Sequence, residues 1–125
     1  MHARIALVVV ALVLPVPAVA DIGDVRVGLA SYYARSFDGR ITASGTRFDN
    51  DAMVAAHPTY PFGTVVRVTN LRNGRSVRLR IVDRGPAAGP RKDGVIIDVS
   101  RAAAQKLGFI TRGRTRVRVV VMSEG

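Results

Sequence analysis

The sequence predicts one mainly β domain, folded as a small barrel of five or six strands. Three observations support this fold class. The chain has 125 residues, which is the size of a single domain. Its hydrophobic residues, at 48%, are too many for a disordered chain. Most of its periodic segments are short and alternate between apolar and polar residues, as half-buried strands do.

The first three strands are predicted from this alternation. Residues 25–29 place an aliphatic side chain at every second position. Residues 65–71 form a β-branched run that leads into Asn73-Gly74, a strong indication of a two-residue hairpin turn. Residues 76–82 then return, with apolar residues at 77, 79 and 81 and arginines between them. The second and third segments are therefore expected to pair as an antiparallel hairpin.

Two further strands are predicted nearer the C-terminus. Residues 95–99 are apolar almost throughout, which is typical of a strand covered on both faces. Residues 115–122 alternate between apolar residues and arginines over most of their length. Residues 63–68 also resemble residues 94–99. A pseudo-twofold barrel would produce that echo, and chance similarity between β-rich segments would explain it equally well.

Two short helices are expected between the strands. Ser100 is a good N-cap for residues 101–107, and Gly108 would end that helix. Residues 50–57 could form a shorter helix that Asp49 caps and the following proline ends. The barrel would then carry one or two helices.

The first 20 residues have the composition of a signal peptide. A short basic start precedes ten apolar residues at 5–14, and Ala18-Val19-Ala20 offers a small-x-small cleavage site. As a helix the apolar run would span about 15 Å, which is too little to cross a hydrocarbon core of about 30 Å. The expected organisation is a signal peptide at 1–20, a lead-in at 21–27, the barrel domain at 28–122 and a tail at 123–125.

The amino-acid counts exclude several kinds of site. There is no cysteine, so disulfides, thiol nucleophiles and cysteine-based zinc sites are excluded, and no lipoprotein anchor is expected. The single glutamate, Glu124, lies one residue from the C-terminus, which rules out an internal glutamic acid catalyst. No metal-ligand spacing or phosphate-binding glycine loop is present, so neither a metal nor a cofactor is expected. The protein is expected to be a soluble monomer in the periplasm or cell envelope.

The chain is strongly basic, with 19 Lys and Arg against nine Asp and Glu and a net charge of +10. Four arginines fall on the outward faces of predicted strands, namely Arg78, Arg80, Arg116 and Arg118. One interpretation is a solvated surface whose charge protects the strands from edge pairing. The other is a surface that attracts polyanions. For an exported protein these would be anionic wall polymers or a membrane surface, and nucleic acid is not expected as a partner.

Asp83 is the most informative candidate for acid–base chemistry. It continues the alternation of Val77, Leu79 and Ile81 at the point where the strand gives way to Arg84-Gly85-Pro86. Its carboxylate is therefore expected to be partly buried. Burial disfavours the charged form, which suits a general acid, while Arg84 acts in the opposite direction. The alternative is a structural aspartate bound to loop amides.

Three other polar residues are weaker candidates. His57 stands at the end of the shorter predicted helix, and a lone histidine is more often structural than catalytic. Asp49 could simply cap that helix. Asp98 alternates with the apolar residues of its strand, which is typical of an ion pair with a neighbouring arginine.

An ordered series of motifs covers residues 28–122. In chain order the motifs are Gly28-Leu29-Ala30-Ser31-Tyr32-Tyr33, Thr42-Ala43-Ser44-Gly45, Phe48-Asp49, Ala55-Ala56-His57, Pro61-Phe62-Gly63-Thr64, Leu71 to Gly74, Asp83-Arg84-Gly85-Pro86 and Ile97-Asp98-Val99-Ser100. Together they resemble one known family, the rare lipoprotein A (RlpA) septal ring lytic transglycosylases. The resemblance implies a six-stranded double-psi β-barrel. Expansins and barwin-like proteins share this fold more distantly.

The resemblance also implies a reaction and a set of site residues. A groove over the barrel would accept a glycan strand of peptidoglycan. Its β-1,4 bond between N-acetylmuramic acid and N-acetylglucosamine would be cleaved, with formation of a 1,6-anhydro end. The family's key aspartate falls on Asp83, as general acid and base, and its supporting polar positions fall on Asp49 and His57. Tyr32 and Tyr33 fall where the family carries aromatic residues near the groove.

Thr46 departs from the family pattern, which usually has glutamate at this place. Thr46 and Arg84 are nevertheless expected to contact the substrate, together with Tyr32 and Tyr33. Loss of the glutamate could lower the rate or leave a protein that only binds the wall. The alternative function is therefore a non-catalytic, expansin-like module that binds peptidoglycan.

Overall fold

The computed structural model describes residues 5–14 and 19–125. Residues 5–14 are exposed and have no regular secondary structure. The expected signal peptide at 1–20, with its cleavage site, lies partly outside the described residues. Within the described ranges, no helix is both long and apolar enough to cross a membrane.

The described chain closes into a six-stranded barrel, which confirms the predicted fold class. The strands follow the order β1-β5-β2-β4-β3-β6 around the barrel. β1 pairs with β5 and β2 with β4 in parallel, whereas the other neighbours are antiparallel. The strand bounds are β1 Val25–Tyr32, β2 Val54–Ala56, β3 Val65–Asn70, β4 Ser76–Asp83, β5 Val95–Val99 and β6 Thr115–Ser123.

The strand order has an internal twofold pattern. Exchanging β1, β2 and β3 for β4, β5 and β6 reproduces every neighbouring pair. Both parallel pairs also carry a shift in register, at Leu29/Ala30 in β1 and at Ala55/Ala56 in β2. This pattern relates β3 to β6, whereas the echo between residues 63–68 and 94–99 would relate β3 to β5. The echo is therefore a chance similarity.

The core lies inside the barrel and consists of the inward residues of the alternating strands. Each buried Val, Leu or Ile side chain contributes about 1.5–3 kcal/mol relative to exposure. Phe109 and the apolar face of the second helix add to this core. The almost fully buried Val, Leu and Ile residues of the strands are Val66, Val68, Leu79, Ile81, Val95, Ile97, Val99, Val117, Val119 and Val121.

The second helix, α2 (Arg101–Leu107), has the predicted bounds. The Ser100 hydroxyl accepts a hydrogen bond from the Ala103 amide at 3.2 Å and donates one to the Ala52 carbonyl at 2.6 Å. Gly108 follows the helix with a φ of 78°, a left-handed conformation that glycine adopts without strain. Ser100 therefore caps the helix and ties it to the segment before β2.

The helix expected at residues 50–57 is wrong. Residues 54–56 form β2, which pairs with β4 on one side and β5 on the other. Asp49 caps no helix, and its Oδ1 accepts a hydrogen bond from the Asp51 amide at 2.9 Å, which forms a local turn. The conformation of so short a segment is determined by hydrogen bonds from the two neighbouring strands and not by its own helix propensity.

Two smaller features also differ from expectation. The helix α1 (Ala88–Lys92) was not predicted because it contains Gly89 and Pro90, although proline is tolerated in the first turn of a helix. The β3–β4 hairpin has a four-residue loop at 71–74, not a two-residue turn. The Asn70 amide donates to the Arg75 carbonyl at 2.8 Å, and Gly74 takes the left-handed conformation.

Candidate active site

The candidate active site is centred on Asp83, the last residue of β4. Three donors hold its carboxylate. The Tyr33 hydroxyl donates to Oδ2 at 2.6 Å, and the amides of Ala43 and Arg84 each donate to Oδ1 at 2.9 Å. The donors come from three separate segments of the chain, so the position of this partly buried carboxylate is fixed by the tertiary structure.

Tyr33 is itself held firmly. Its ring stacks on Phe48 with the centroids 4.0 Å apart and meets the ring of Phe37 edge-on at 5.5 Å. Burial, together with the hydrogen bond to Asp83, raises the pKa of the Tyr33 phenol. The phenol therefore keeps its proton and donates to Asp83 at any physiological pH.

A second carboxyl group, that of Asp98, lies in the same cleft as Asp83. Asp98 is the parallel partner of Ser31 across β5 and β1, and its Oδ1 accepts a hydrogen bond from the Ser31 hydroxyl. Burial raises the pKa of Asp98, and the nearby charge of Asp83 acts in the same direction, while the Ser31 hydrogen bond opposes them. The site thus pairs a firmly held carboxylate with a carboxyl group whose protonated form is favoured by burial.

Gly85 allows the backbone to pass close to Asp98. Its φ is 151°, a conformation that side chains rarely permit. A Cβ at this position would lie 3.1 Å from Oδ2 of Asp98 and 3.4 Å from the Cβ of Ala56. Any other residue would therefore displace the second carboxyl group.

The two carboxyl groups open onto a cleft of about 410 Å³. Phe37, in the 3₁₀ turn Arg35–Phe37, is 42% exposed and offers part of its ring to solvent. Aromatic faces beside polar groups suit a sugar, which has apolar ring faces and hydroxyl edges. The lining residues are Ser31, Tyr32, Tyr33, Ala34, Phe37, Asp83, Arg84, Gly85, Ala87, Pro90 and Asp98.

Thr46 belongs to a loop, residues 42–46, that docks on the end of β4. Besides the bond from Ala43 to Asp83, the Ser44 amide donates to the Val82 carbonyl at 3.3 Å. The hydroxyls of Thr42, Ser44 and Thr46 form a cluster with oxygen–oxygen distances of 2.8, 3.0 and 3.2 Å. Thr46 is exposed and lies outside the lining of the cleft.

Arg84 borders the cleft, and its guanidinium group is anchored on the segment 57–62. Its Nη1 donates to the carbonyls of His57 at 3.2 Å and Tyr60 at 2.8 Å, and its Cζ lies 4.0 Å from the centre of the Phe62 ring. These contacts hold the segment 57–62 against the end of β4.

His57 and Asp49 lie outside the lining of the cleft. The His57 ring stacks on Tyr60 at 3.7 Å, and its Nδ1 accepts hydrogen bonds from the amides of Thr59 and Tyr60. Burial lowers the pKa of His57 to about 4, so the imidazole is neutral at neutral pH. Its backbone amide donates to the carbonyl of Asp83 at 3.2 Å. Asp49 is exposed and bound to its own turn.

Ser31 and Phe37 were not predicted as site residues, and Asp98 was only a weak candidate, interpreted as part of an ion pair. The expected ion pair between Asp98 and an arginine is wrong: in the described part of the chain the ion pairs are Arg26–Asp24 and Arg114–Asp93. Alternation correctly placed Asp98 away from the core, but it could not show that parallel pairing brings Ser31 to it. Among the described residues, no three His, Asp or Glu side chains come together as a metal site requires.

Comparison of sequences places the chain among known proteins. Residues 25–119 match the family model described as lytic transglycolase. The endolytic peptidoglycan transglycosylase RlpA of Neisseria meningitidis is 51% identical over 94 residues, which cover 75% of this chain and 38% of that protein. The probable endolytic peptidoglycan transglycosylase RlpA of Treponema pallidum is 56% identical over 92 residues, covering 74% and 28%. The chain thus spans well under half the length of these curated relatives.

Solved structures share the barrel. A Streptomyces papain inhibitor superposes with a TM-score of 0.64 at 28% identity, covering 82% of this chain and 97% of that one. An expansin from Clavibacter michiganensis, crystallised as a point mutant in complex with cellohexaose, gives a TM-score of 0.62 at 20% identity, covering 82% and 52%. This second likeness concerns the fold alone. The sequence matches and the closed six-stranded barrel agree, and the chain therefore belongs to the lytic transglycolase family of double-psi β-barrel proteins.

Proposed function

We propose that the protein is an exported lytic transglycosylase that cleaves the β-1,4 bond between N-acetylmuramic acid and N-acetylglucosamine in peptidoglycan. The observation that carries this proposal is the pair of carboxyl groups, Asp83 and Asp98, in one aromatic-lined cleft. Family membership and the names of the relatives support the same reaction.

The proposed reaction needs a proton donor and a proton acceptor but no activated water. Asp83 donates a proton to the glycosidic oxygen as its bond to C1 of the muramic acid breaks. The 6-hydroxyl of the same sugar attacks C1 and gives its proton to the Asp83 carboxylate. The products are a free 4-hydroxyl on N-acetylglucosamine and a 1,6-anhydro end. Because the nucleophile is part of the substrate, its effective concentration is high.

We assign Asp98 a supporting role in this proton transfer. Both carboxyl groups line one cleft, so a proton held by Asp98 would lie close to Asp83 and the bound sugar. Burial favours the protonated form of Asp98. The three donors to Asp83 keep its carboxylate directed at one point in the cleft. Such positioning of an acid–base group contributes typically 10²- to 10⁴-fold in rate, as an order of magnitude.

The other predicted residues fall into two proposed roles. Tyr32 offers its ring to the sugars, whereas Tyr33, which is buried with its ring stacked on Phe48, borders the sugar site and holds Asp83. Arg84 offers guanidinium donors to the carboxylates of muramic acid or its stem peptide. His57 acts as a positioning residue, because its carbonyl anchors Arg84 and its amide binds the Asp83 carbonyl. Asp49 positions the turn that connects Phe48, beneath Tyr33, with β2.

Incubation with purified sacculi tests the proposal. The products released from the sacculi and a digest of the remaining sacculi are analysed by mass spectrometry for anhydro-muropeptides. An active relative serves as positive control. Anhydro ends above the protein-free background are expected. Their absence, where the positive control forms them, would remove the proposed activity.

Thr46 favours a second candidate function, non-catalytic binding to peptidoglycan. It stands where the family motif usually has glutamate, and its hydroxyl is engaged with Thr42 and Ser44. A binding module would pellet with sacculi both as the wild type and as Asp83→Asn, and neither protein would change the muropeptide profile. Failure to pellet at physiological salt would eliminate this candidate.

A further inference from the structure

One outer wall of the barrel carries a surface that the chemistry of the cleft does not use. It is formed by the outward side chains of four neighbouring strands, in the order β1, β6, β3, β4. The registers place Val25 beside Val120 and Arg67, and Val27 beside Arg118 and Thr69. We call this surface, formed by Val25, Val27, Arg67, Arg78, Arg116 and Arg118, the β6 face.

The arginines of the β6 face are without acidic partners in the part of the chain that the structure describes, since neither of its two ion pairs includes one of them. Arg67 and Arg78 are directly opposite across β3 and β4, and such like-charge pairs destabilise a sheet. A surface that served solubility alone could intersperse charges of both signs. Uncompensated charge at some cost in stability indicates an anionic partner.

A cavity of about 430 Å³ lies on this face. Guanidinium groups and hydroxyls are good hydrogen-bond donors to phosphate oxygens, and none of the described residues that line this cavity has a carboxylate. A second cavity, of about 250 Å³, continues along β6 and includes Arg72, Arg112 and Arg116. Phosphate could therefore bind at more than one point on the face. The first cavity is lined by Arg67, Thr69, Gly74, Ser76, Arg118, Val120 and Met122.

Exposed aliphatic side chains distinguish between anionic partners. Val25 and Val27 are 53% and 48% exposed, and Val27 lies directly opposite Arg118. A soluble polyanion would leave these side chains in water. The interfacial region of a phospholipid bilayer accommodates arginines and aliphatic side chains together, because its phosphates lie just above the acyl chains.

We propose that the β6 face binds the surface of an anionic phospholipid bilayer. Its arginines contact lipid phosphates, while Val25 and Val27 enter the headgroup region. The binding would hold the barrel at a membrane surface. This inference is independent of whether the cleft is catalytic.

Sedimentation of the full chain with lipid vesicles tests the inference. Vesicles of phosphatidylcholine mixed with phosphatidylglycerol are compared with vesicles of pure phosphatidylcholine. The double variant Arg116→Gln/Arg118→Gln is expected to lose about 30-fold in partitioning to the anionic vesicles, at about fivefold for each basic residue near the surface. Val25→Thr/Val27→Thr keeps the side-chain shape and is expected to lose about tenfold.

The matched control is Arg91→Gln/Lys92→Gln in α1, which removes the same charge and should lose no more than about threefold. Arg116→Lys/Arg118→Lys should retain binding, which separates loss of charge from misfolding. The apolar residues 5–14 are present in every variant, so their contribution to vesicle binding cancels when the variants are compared. Equal binding to both vesicle types, or equal losses in the two Gln variants, would overturn the inference. Unchanged binding of the Thr variant would also overturn it, because the face would then bind charge alone.

Discussion

At the scale of single residues, the hydroxyl of Tyr33 is the one side-chain donor to Asp83 among residues 5–14 and 19–125. Tyr33→Phe keeps the stacking on Phe48 and removes only this donor. We expect the rate of anhydro-end formation to fall roughly 10- to 100-fold, because hydrogen bonds to charged groups contribute about 1.5–3 kcal/mol. The rate is measured with sacculi, and pelleting with sacculi should stay unchanged. A wild-type rate would show that the hydrogen bond does not position the catalytic group.

Thr46 offers a second test at this scale. Its side chain is exposed in the loop that docks on Asp83 through Ala43, so a longer side chain fits without displacing the core. We expect Thr46→Glu to raise the rate of anhydro-end formation several-fold, since it restores the usual carboxylate. Thr46→Gln has the same size without the charge and serves as the control. An equal gain in both variants, or none in Thr46→Glu, would count against a role for that carboxylate.

Strand alternation indicated one carboxyl group of the candidate site, that of Asp83, and left Asp98 only a weak candidate. Asp83 follows Ile81 on the same strand, so its place at the end of the inward face could be inferred from neighbouring residues alone. Asp98 depends on Ser31, which is 67 positions away and becomes its partner only through parallel pairing of β1 with β5. The residues next to Asp98 in the sequence do not indicate that β5 pairs with β1.

At the scale of elements, Ser100 connects α2 to the segment before β2. Ser100→Ala removes the cap on the Ala103 amide and leaves the half-buried Ala52 carbonyl without its hydroxyl partner. We expect the free energy of unfolding to fall by about 1–2 kcal/mol. Urea denaturation measures this change. Ser36→Ala, in the exposed 3₁₀ turn, should be close to neutral, and a similar loss in both variants would argue against the cap.

The elements that were predicted correctly are those whose own residues determine them. Five strands were recognised from alternation or apolar runs, and α2 from a cap and a left-handed glycine. β2 was missed because three residues carry no periodicity, and only its hydrogen bonds to β4 and β5 define it. α1 was missed because Gly89 and Pro90 disfavour helices in general, although the first turn does not need the missing N–H.

At the scale of the whole molecule, the buried neutral His57 links stability to pH. Its pKa is about 4 in the fold and about 6.5 when exposed, so between these values the unfolded chain binds a proton that the native state does not. The free energy of unfolding should therefore decrease as pH falls from about 6.5 to about 4, by about 2–3 kcal/mol from this group.

Urea denaturation at several pH values measures this dependence. His57→Gln cannot titrate and is expected to be less stable at neutral pH but to lose the part of the slope between about pH 6.5 and 4. An unaltered slope in this variant would assign the pH dependence to other groups. The change concerns folding, so it is separable from any effect of pH on the carboxyl pair in the cleft.

The central claim is that Asp83 transfers the proton in glycan cleavage. The most direct measurement is the amount of anhydro-muropeptide released from sacculi by Asp83→Asn and by Asp51→Asn, an exposed aspartate given the same change. We expect Asp51→Asn to match the wild type and Asp83→Asn to form anhydro ends at a rate at least about 100-fold lower. Formation of anhydro ends by Asp83→Asn at the wild-type rate would contradict it.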